Sequence, residues 1–168
     1  MTATTRFLRA GVAAAVVDGL FSSVLNVAAY GSTVARLFQG VAATLIGNAA
    51  FTGGARTTAL GIVMHCGVAF AWSAAFVFGV MRSERIRRLL AARLGVLRVA
   101  SVYGPAIWVV MSIVVIPVLL QRPPAVTFRW WVQFFGHIPF VGVPIVAAAS
   151  RGAVVPTATR RRVVGEGR

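Results

Sequence analysis

Three ionisable side chains interrupt long apolar runs in this chain: Asp18, His65 and His137. On insertion scales such a group at the centre of a membrane helix costs about 2.5–3.5 kcal/mol, which makes each a candidate for function. Asp18 lies nine residues beyond Arg9, His65 nine beyond Arg56, and His137 eight beyond Arg129. At about 1.5 Å per residue all three fall at a similar depth, about 12–14 Å in from the basic residue that precedes each. Asn26, Gln133 and Asn48 add polar groups nearer the outer edge of their runs.

Three chemistries are open to such a set. Burial draws the proton affinities of a carboxyl and an imidazole toward one another, so Asp18, His65 and His137 could relay protons, with Asn26 as a further polar contact. His65 and His137, at matched depth on separate helices, could instead be the axial ligands of a haem b. The third reading is structural, with Asp18 hydrogen-bonded to a neighbouring helix and both imidazoles satisfied locally. Spacing alone does not gather the three into one cluster.

Other chemistry finds little support. Cys66 is the single cysteine, which excludes an intrachain disulfide and a thiolate cluster within one chain. Two histidines and one carboxylate lack the local spacing of a zinc site, so no metal is expected. Gly53-Gly54 lacks the Lys-Ser/Thr and the preceding strand of a phosphate loop. Ser22, Ser23 and Ser73 have no nucleophile-elbow context, and one buried carboxylate makes no acid–base pair. The expectation is a protein that is not an enzyme and carries no cofactor, with haem b as the alternative.

The elements that must position these residues are apolar helices. The 168 residues are 58% hydrophobic and 12% charged, with a mean hydropathy of +0.84. A soluble domain is nearer about 45–50% apolar and about 25% charged. Four runs, Ala10–Tyr30, Thr57–Val80, Val99–Leu120 and Trp130–Ala149, are each long enough to cover the ~30 Å hydrocarbon core. The first resembles a signal peptide, but Asp18 interrupts it and no small-x-small cleavage site follows, which favours an uncleaved helix. The fold class expected is all-α: one membrane domain over residues 1–150 with four transmembrane helices and one outer interfacial amphipathic helix. Residues 151–168 read as a basic, disordered cytoplasmic tail.

All 17 basic residues are arginines, set against Asp18, Glu84 and Glu166, for a net charge of +14. They lie between and beyond the apolar runs, which points to anionic lipid and topology and away from nucleic acid. With the amino terminus inside, 13 arginines fall on inner segments and four on outer ones. That asymmetry predicts both ends in the cytoplasm of a bacterial inner membrane. Tyr30, Trp130 and Trp131 then fall at the outer interface.

Within the connection Ser32–Gly54, Val34, Leu37, Phe38, Val41 and Leu45 recur at helical spacing, which predicts a helix lying on or dipping into the outer face. The inner loop Arg82–Arg98 sets Ile86, Leu89, Leu90, Leu94 and Leu97 on one face. It leaves Arg82, Arg85 and Arg88 to contact phosphates of the anionic inner leaflet, each contributing roughly 1 kcal/mol. Small residues recur every four positions as Gly11, Ala15, Gly19 and Ser23, and again as Gly67, Ala71, Ala75 and Gly79. Such stripes let helix backbones approach, so both are expected to face other helices. Pro105, Pro117, Pro139 and Pro144 are expected to kink the third and fourth spans.

Several segments together resemble a family of small uncharacterised bacterial inner-membrane proteins. They are Phe38–Ala42, Ile46–Gly54 with its Gly53-Gly54 close, Ala59–Gly61 running on to His65, and Asp18 itself. Tyr103-Gly104 followed by Met111 and Pro117, and Phe140–Ile145, belong to the same pattern. The resemblance implies a four-helix membrane fold and no established activity. Taken together, the sequence predicts a non-enzymatic scaffold or accessory membrane component, as a homo-oligomer or with a membrane-protein partner. The alternative is a small oligomeric transporter or channel using Asp18 and His65.

Overall fold

The computed structural model describes residues 1–152, so the predicted tail lies largely outside the described residues. Among those described, every regular element is helical. Five helical stretches are long and apolar enough to cross a membrane: Ala3–Ala29, Val34–Phe51, Gly54–Arg82, Gly95–Leu120 and Phe128–Ser150. We call the first α1, the helix Val34–Ile46 α2, and Gly54–Arg82 α3. A short Glu84–Ala91 helix is α4, Gly95–Leu120 is α5 and Phe128–Ser150 is α6.

Hydrophobicity is distributed for an apolar surrounding. Val12, Val16, Leu20 and Val24 form an outward stripe on α1 and are 53–64% exposed. Meanwhile Gln39, Ser73 and His137 are buried. Polar groups inside and aliphatic groups outside fit a membrane protein.

The stretch Val34–Phe51 is not one rod. Thr33 caps α2 by accepting from the Arg36 N–H at 3.1 Å, and α2 ends at Gly47, whose φ of 65° suits glycine. From there the chain doubles back through a tight turn to Phe51. The Phe51 ring lies under the Arg36 guanidinium at 4.4 Å, and the Gln39 amide donates to the Gly54 carbonyl at 3.2 Å. Gln39 and Ala50 are thereby drawn inward, and α2 becomes a wall packed on α3 and on the far end of α5.

Between the four long helices, packing is tightest at the terminal end, which holds the start of α1 and the end of α6. Ala10, Ala14, Ala100 and Ala149 are fully buried there with Phe76, Ile145 and Val146. At Gly104 an added Cβ would lie 2.2 Å from the His137 carbonyl oxygen, and at Gly142 2.5 Å from that of Ala100. These glycines let α5 and α6 touch backbone to backbone. The Tyr103 hydroxyl donates to the Trp72 carbonyl at 2.7 Å, tying α5 to α3.

All four long helices contain one wide π-type turn, at Leu25–Ala29, Ala75–Gly79, Val110–Val115 and Ile138–Gly142. Those in α5 and α6 precede Pro117 and Pro144. A proline has no N–H and pushes away the carbonyl four residues back, so the hydrogen-bond register widens there. Pro105, by contrast, sits within regular α-helix.

Two sequence expectations are corrected. The α1 stripe does face α3: Gly11 abuts the Phe70 ring, the Ala15 carbonyl is bonded across to α3, Gly19 lies against His65, and Ser23 is half-buried. The α3 stripe does not face a helix. Gly67, Ala71, Ala75 and Gly79 are all exposed, and a Cβ at Gly67 or Gly79 would meet nothing within 4 Å. The buried side of α3 carries Gly61, Ser73, Phe76 and Val77 instead, because Gly61 is needed where the Phe38 backbone crosses.

The second correction concerns the arginine-rich loop. Its helix ends at Ala91, so the predicted apolar face breaks: Ile86 and Leu90 pack inward, while Leu89, Leu94 and Leu97 are exposed. Arg82, Arg85 and Arg88 are exposed, as their predicted role requires. Arg87 and Arg88 also pair with Glu84, whose carboxyl is held below its ordinary range first by the Arg87 hydrogen bond and charge, then by Arg88.

Gly104→Val and Gly142→Val should each destabilise the protein by about 1–3 kcal/mol or more, as overpacking against backbone does. Gly67→Ala and Gly79→Ala, with open space for the added methyl, should not destabilise it and should add up to about 1 kcal/mol through helix propensity. Thermal unfolding in detergent followed by circular dichroism checks both halves.

Candidate functional site

Away from the termini, the long helices diverge around a cavity of about 650 Å³. That lies within the roughly 300–1,000 Å³ of ligand pockets. Its α1 wall is a ladder at four-residue spacing, Ala14, Asp18, Ser22 and Asn26. Across from it α6 presents Arg129, Gln133, His137, Val141 and Ile145, again every fourth residue. On a helix such residues share one face, so each ladder runs from polar at the mouth to apolar at the floor. His65 enters from α3 and Trp108 from α5.

Asp18, Asn26, His65 and His137 therefore all line one space, from three helices. The His65 Nδ1 stands 3.9 Å from an Asp18 carboxylate oxygen. Ser22 donates to the other Asp18 oxygen at 3.5 Å, and the Asn26 amide donates to the Ser22 carbonyl at 3.0 Å.

Backbone carbonyls assign the protons. A carbonyl can only accept, so the His65 Nε2, 3.0 Å from the Ala15 oxygen, carries a hydrogen. By the same rule the His137 Nδ1, 2.7 Å from the Gln133 oxygen, carries one. In the neutral rings the bare nitrogens are then the His65 Nδ1, which faces Asp18, and the His137 Nε2. A lone pair facing a carboxylate is unfavourable unless one further proton sits on either partner. Asp18 and His65 face one another at 3.9 Å, longer than a direct hydrogen bond.

The same bonds speak to haem. Axial ligation by His65 through Nε2 would take that nitrogen from the Ala15 carbonyl, and its other nitrogen is turned to Asp18. Two opposed imidazoles with free Nε2 atoms are not what the helices present, and the residues do not fit the group. Among the described residues no three His, Cys, Asp or Glu side chains converge as a metal-ligating set.

Residues beyond Asp18, Asn26, His65 and His137 complete the site. Trp108 lies against His137, 4.8 Å between centroids and tilted by 48°, and its indole N–H is buried with no acceptor. A Gln133 side-chain oxygen is likewise buried and unpartnered. At the mouth Arg129 lies 3.5 Å over the Tyr30 ring, and Arg36 reaches in from α2. The legible signal was the four-residue polar recurrence, Asp18-Ser22-Asn26 and Arg129-Gln133-His137, within apolar runs. The floor is sealed toward the termini by Phe76, Ile145 and Val146, all without solvent exposure.

Compared with protein-family models, with curated proteins and with solved structures, the chain matches none. The cavity must be interpreted from its own chemistry.

In ¹⁵N-histidine spectra of the protein in lipid at high pH, the two rings should show opposite neutral tautomers: Nε2–H for His65 and Nδ1–H for His137. Assignment by His65→Phe and His137→Phe would distinguish them, and a shared tautomer would contradict the bonding described.

Proposed function

We propose that this chain is a non-enzymatic carrier of a bacterial inner membrane that couples a solute to a proton through its central cavity. The observation that carries the proposal is the convergence of Asp18, His65 and His137, from α1, α3 and α6, on one cavity closed at one end. A scaffold has no use for a cavity of this size with three ionisable side chains on its largely apolar wall. A membrane interior penalises ionisable groups that do nothing, and a one-sided cavity ending on a proton-holding pair suits alternating exposure.

On this reading the protein crosses the membrane four times. The reversal at Gly47 supports four spans over five: the 13 residues of α2 extend about 20 Å, short of the ~30 Å hydrocarbon core. α2 then dips in from the outer face as part of the cavity wall. The excess of arginine around the termini supports placing both in the cytoplasm, against anionic lipid, and the cavity mouth outside. The resemblance to small bacterial inner-membrane proteins agrees with this location.

Proteoliposomes carrying an internal pH dye test the carrier reading with a panel of organic acids, amines and neutral solutes. Wild type should shift the internal pH with at least one solute beyond protein-free vesicles, and Asp18→Asn should abolish the shift. A wild-type response equal to protein-free vesicles for every solute overturns the reading.

A second reading, the scaffold or accessory component, has one observation of its own. The α3 face bearing Gly67, Ala71, Ala75 and Gly79 lies open, as a face awaiting another helix would. If it packs a second copy, Ala71→Leu should lower crosslinked dimer in membranes several-fold; no crosslinking in wild type ends that reading.

A further inference from the structure

Resting on the carrier reading, we propose that the cavity's ligand is an amphipathic organic anion. Its carboxylate- or phosphate-type head would enter between Arg36 and Arg129, and its apolar body would lie against Trp72, Trp108 and Met111.

The mouth selects by charge. Both guanidiniums line the cavity, and neither has an acidic partner among the described residues. Of the carboxylates described, Asp18 faces His65, and Glu84 is held by Arg87 and Arg88 on the far side of the bundle. Each mouth arginine is stacked on an aromatic face, Arg129 on Tyr30 at 3.5 Å and Arg36 on Phe51 at 4.4 Å. Stacking uses the face of a guanidinium and leaves its in-plane N–H donors for a planar anion. A cationic ligand would have to pass two like charges to reach Asp18, and a neutral one would leave both arginines unanswered.

One level deeper, the unpartnered atoms match the protonated form of the same head. A carboxylic acid group offers one acceptor and one donor. The buried Trp108 N–H lacks an acceptor, and the buried Gln133 oxygen lacks a donor. Orphaned buried polar groups are costly. Both atoms are closed off from the cavity as the side chains stand, so an acid head would pair with them only as Trp108 and Gln133 turn toward it. Gln133 lies one helical turn below Arg129 and one above His137, so the three levels stack along α6.

Charge balance joins the levels. The anion arrives at the arginines. A phosphodiester head stays anionic there, whereas a carboxylate head takes the proton of the Asp18–His65 pair and becomes an uncharged acid. The pair is left one proton short, to be refilled from water. An acid that travels neutral avoids the cost of a bare charge in hydrocarbon, which is the use a proton-holding pair would serve here.

Protein in nanodiscs of phosphatidylcholine, with empty discs subtracted, provides the test. Radiolabelled octanoate should bind saturably and be displaced poorly by octylammonium or octanol at equal concentration. Arg129→Gln and Arg36→Gln should each weaken octanoate by about tenfold, the scale of a lost charge-assisted hydrogen bond. Arg82→Gln, at the opposite end, should not. Repeating the titration with phosphatidylglycerol in the discs separates two sources of the anion. Competition means a lipid headgroup occupies the site, no competition means a free acid, and either outcome upholds the anionic class.

Absence of saturable octanoate binding overturns the proposal, as does octylammonium binding as tightly or affinity indifferent to both mouth arginines. The carrier reading is judged apart. A pH shift driven only by amines would keep the carrier and discard the anion. Arginine-dependent octanoate binding without any pH shift would keep the anion site and discard the carrier.

Discussion

Hydrocarbon accepts and donates no hydrogen bonds, and nearly every feature of this fold answers that constraint. Backbone groups are satisfied within helices, and Asp18, Ser22, Asn26 and His65 turn their polar atoms toward one another or toward neighbouring carbonyls. The two imidazoles illustrate it. Each is pinned by a backbone carbonyl, Ala15 for His65 and Gln133 for His137, which sets its tautomer and aims its bare nitrogen. The orientation of both imidazoles is thus a by-product of satisfying hydrogen bonds where water is scarce.

Side-chain size then decides where the bundle is closed. At the terminal end alanines and glycines meet: Ala10, Ala14, Ala100 and Ala149 are fully buried, and Gly104 and Gly142 bring α5 and α6 into backbone contact. Toward the other end the helices stand apart around the cavity. There α2 inserts between α3 and the end of α5, and Gly61 makes room for it against the Phe38 carbonyl. A bundle tight at one end and wedged open at the other has a cavity as its geometric consequence.

Part of the site could be read in advance. Asp18, Asn26, His65 and His137 stood out because ionisable and amide groups are costly within apolar runs, and the structure brings all four to one space. Ser22, Gln133 and Arg129 carried a readable mark, the four-residue recurrence with Asp18, Asn26 and His137. Trp108 and Arg36 carried none, since an indole in an apolar run and an arginine in a connection look ordinary. The α3 stripe failed for a related reason. Alanine and glycine are so common here that small-residue spacing exists on more than one face, and only neighbours decide which face is used.

What the sequence determined by itself was the class of solvent, the helical content, the approximate extent of the long helices and the depth of the buried polar groups. All of these follow from local hydropathy and a fixed rise per residue. Only the tertiary structure decided that α2 doubles back at Gly47, which side of α3 packs, and that three ionisable residues from three helices share one cavity. Those outcomes depend on helix rotation and on contacts between residues far apart in the chain, such as the 50 positions between Ala15 and His65. Periodicity along one helix places its residues on a face; it holds no information about the partner that face will meet.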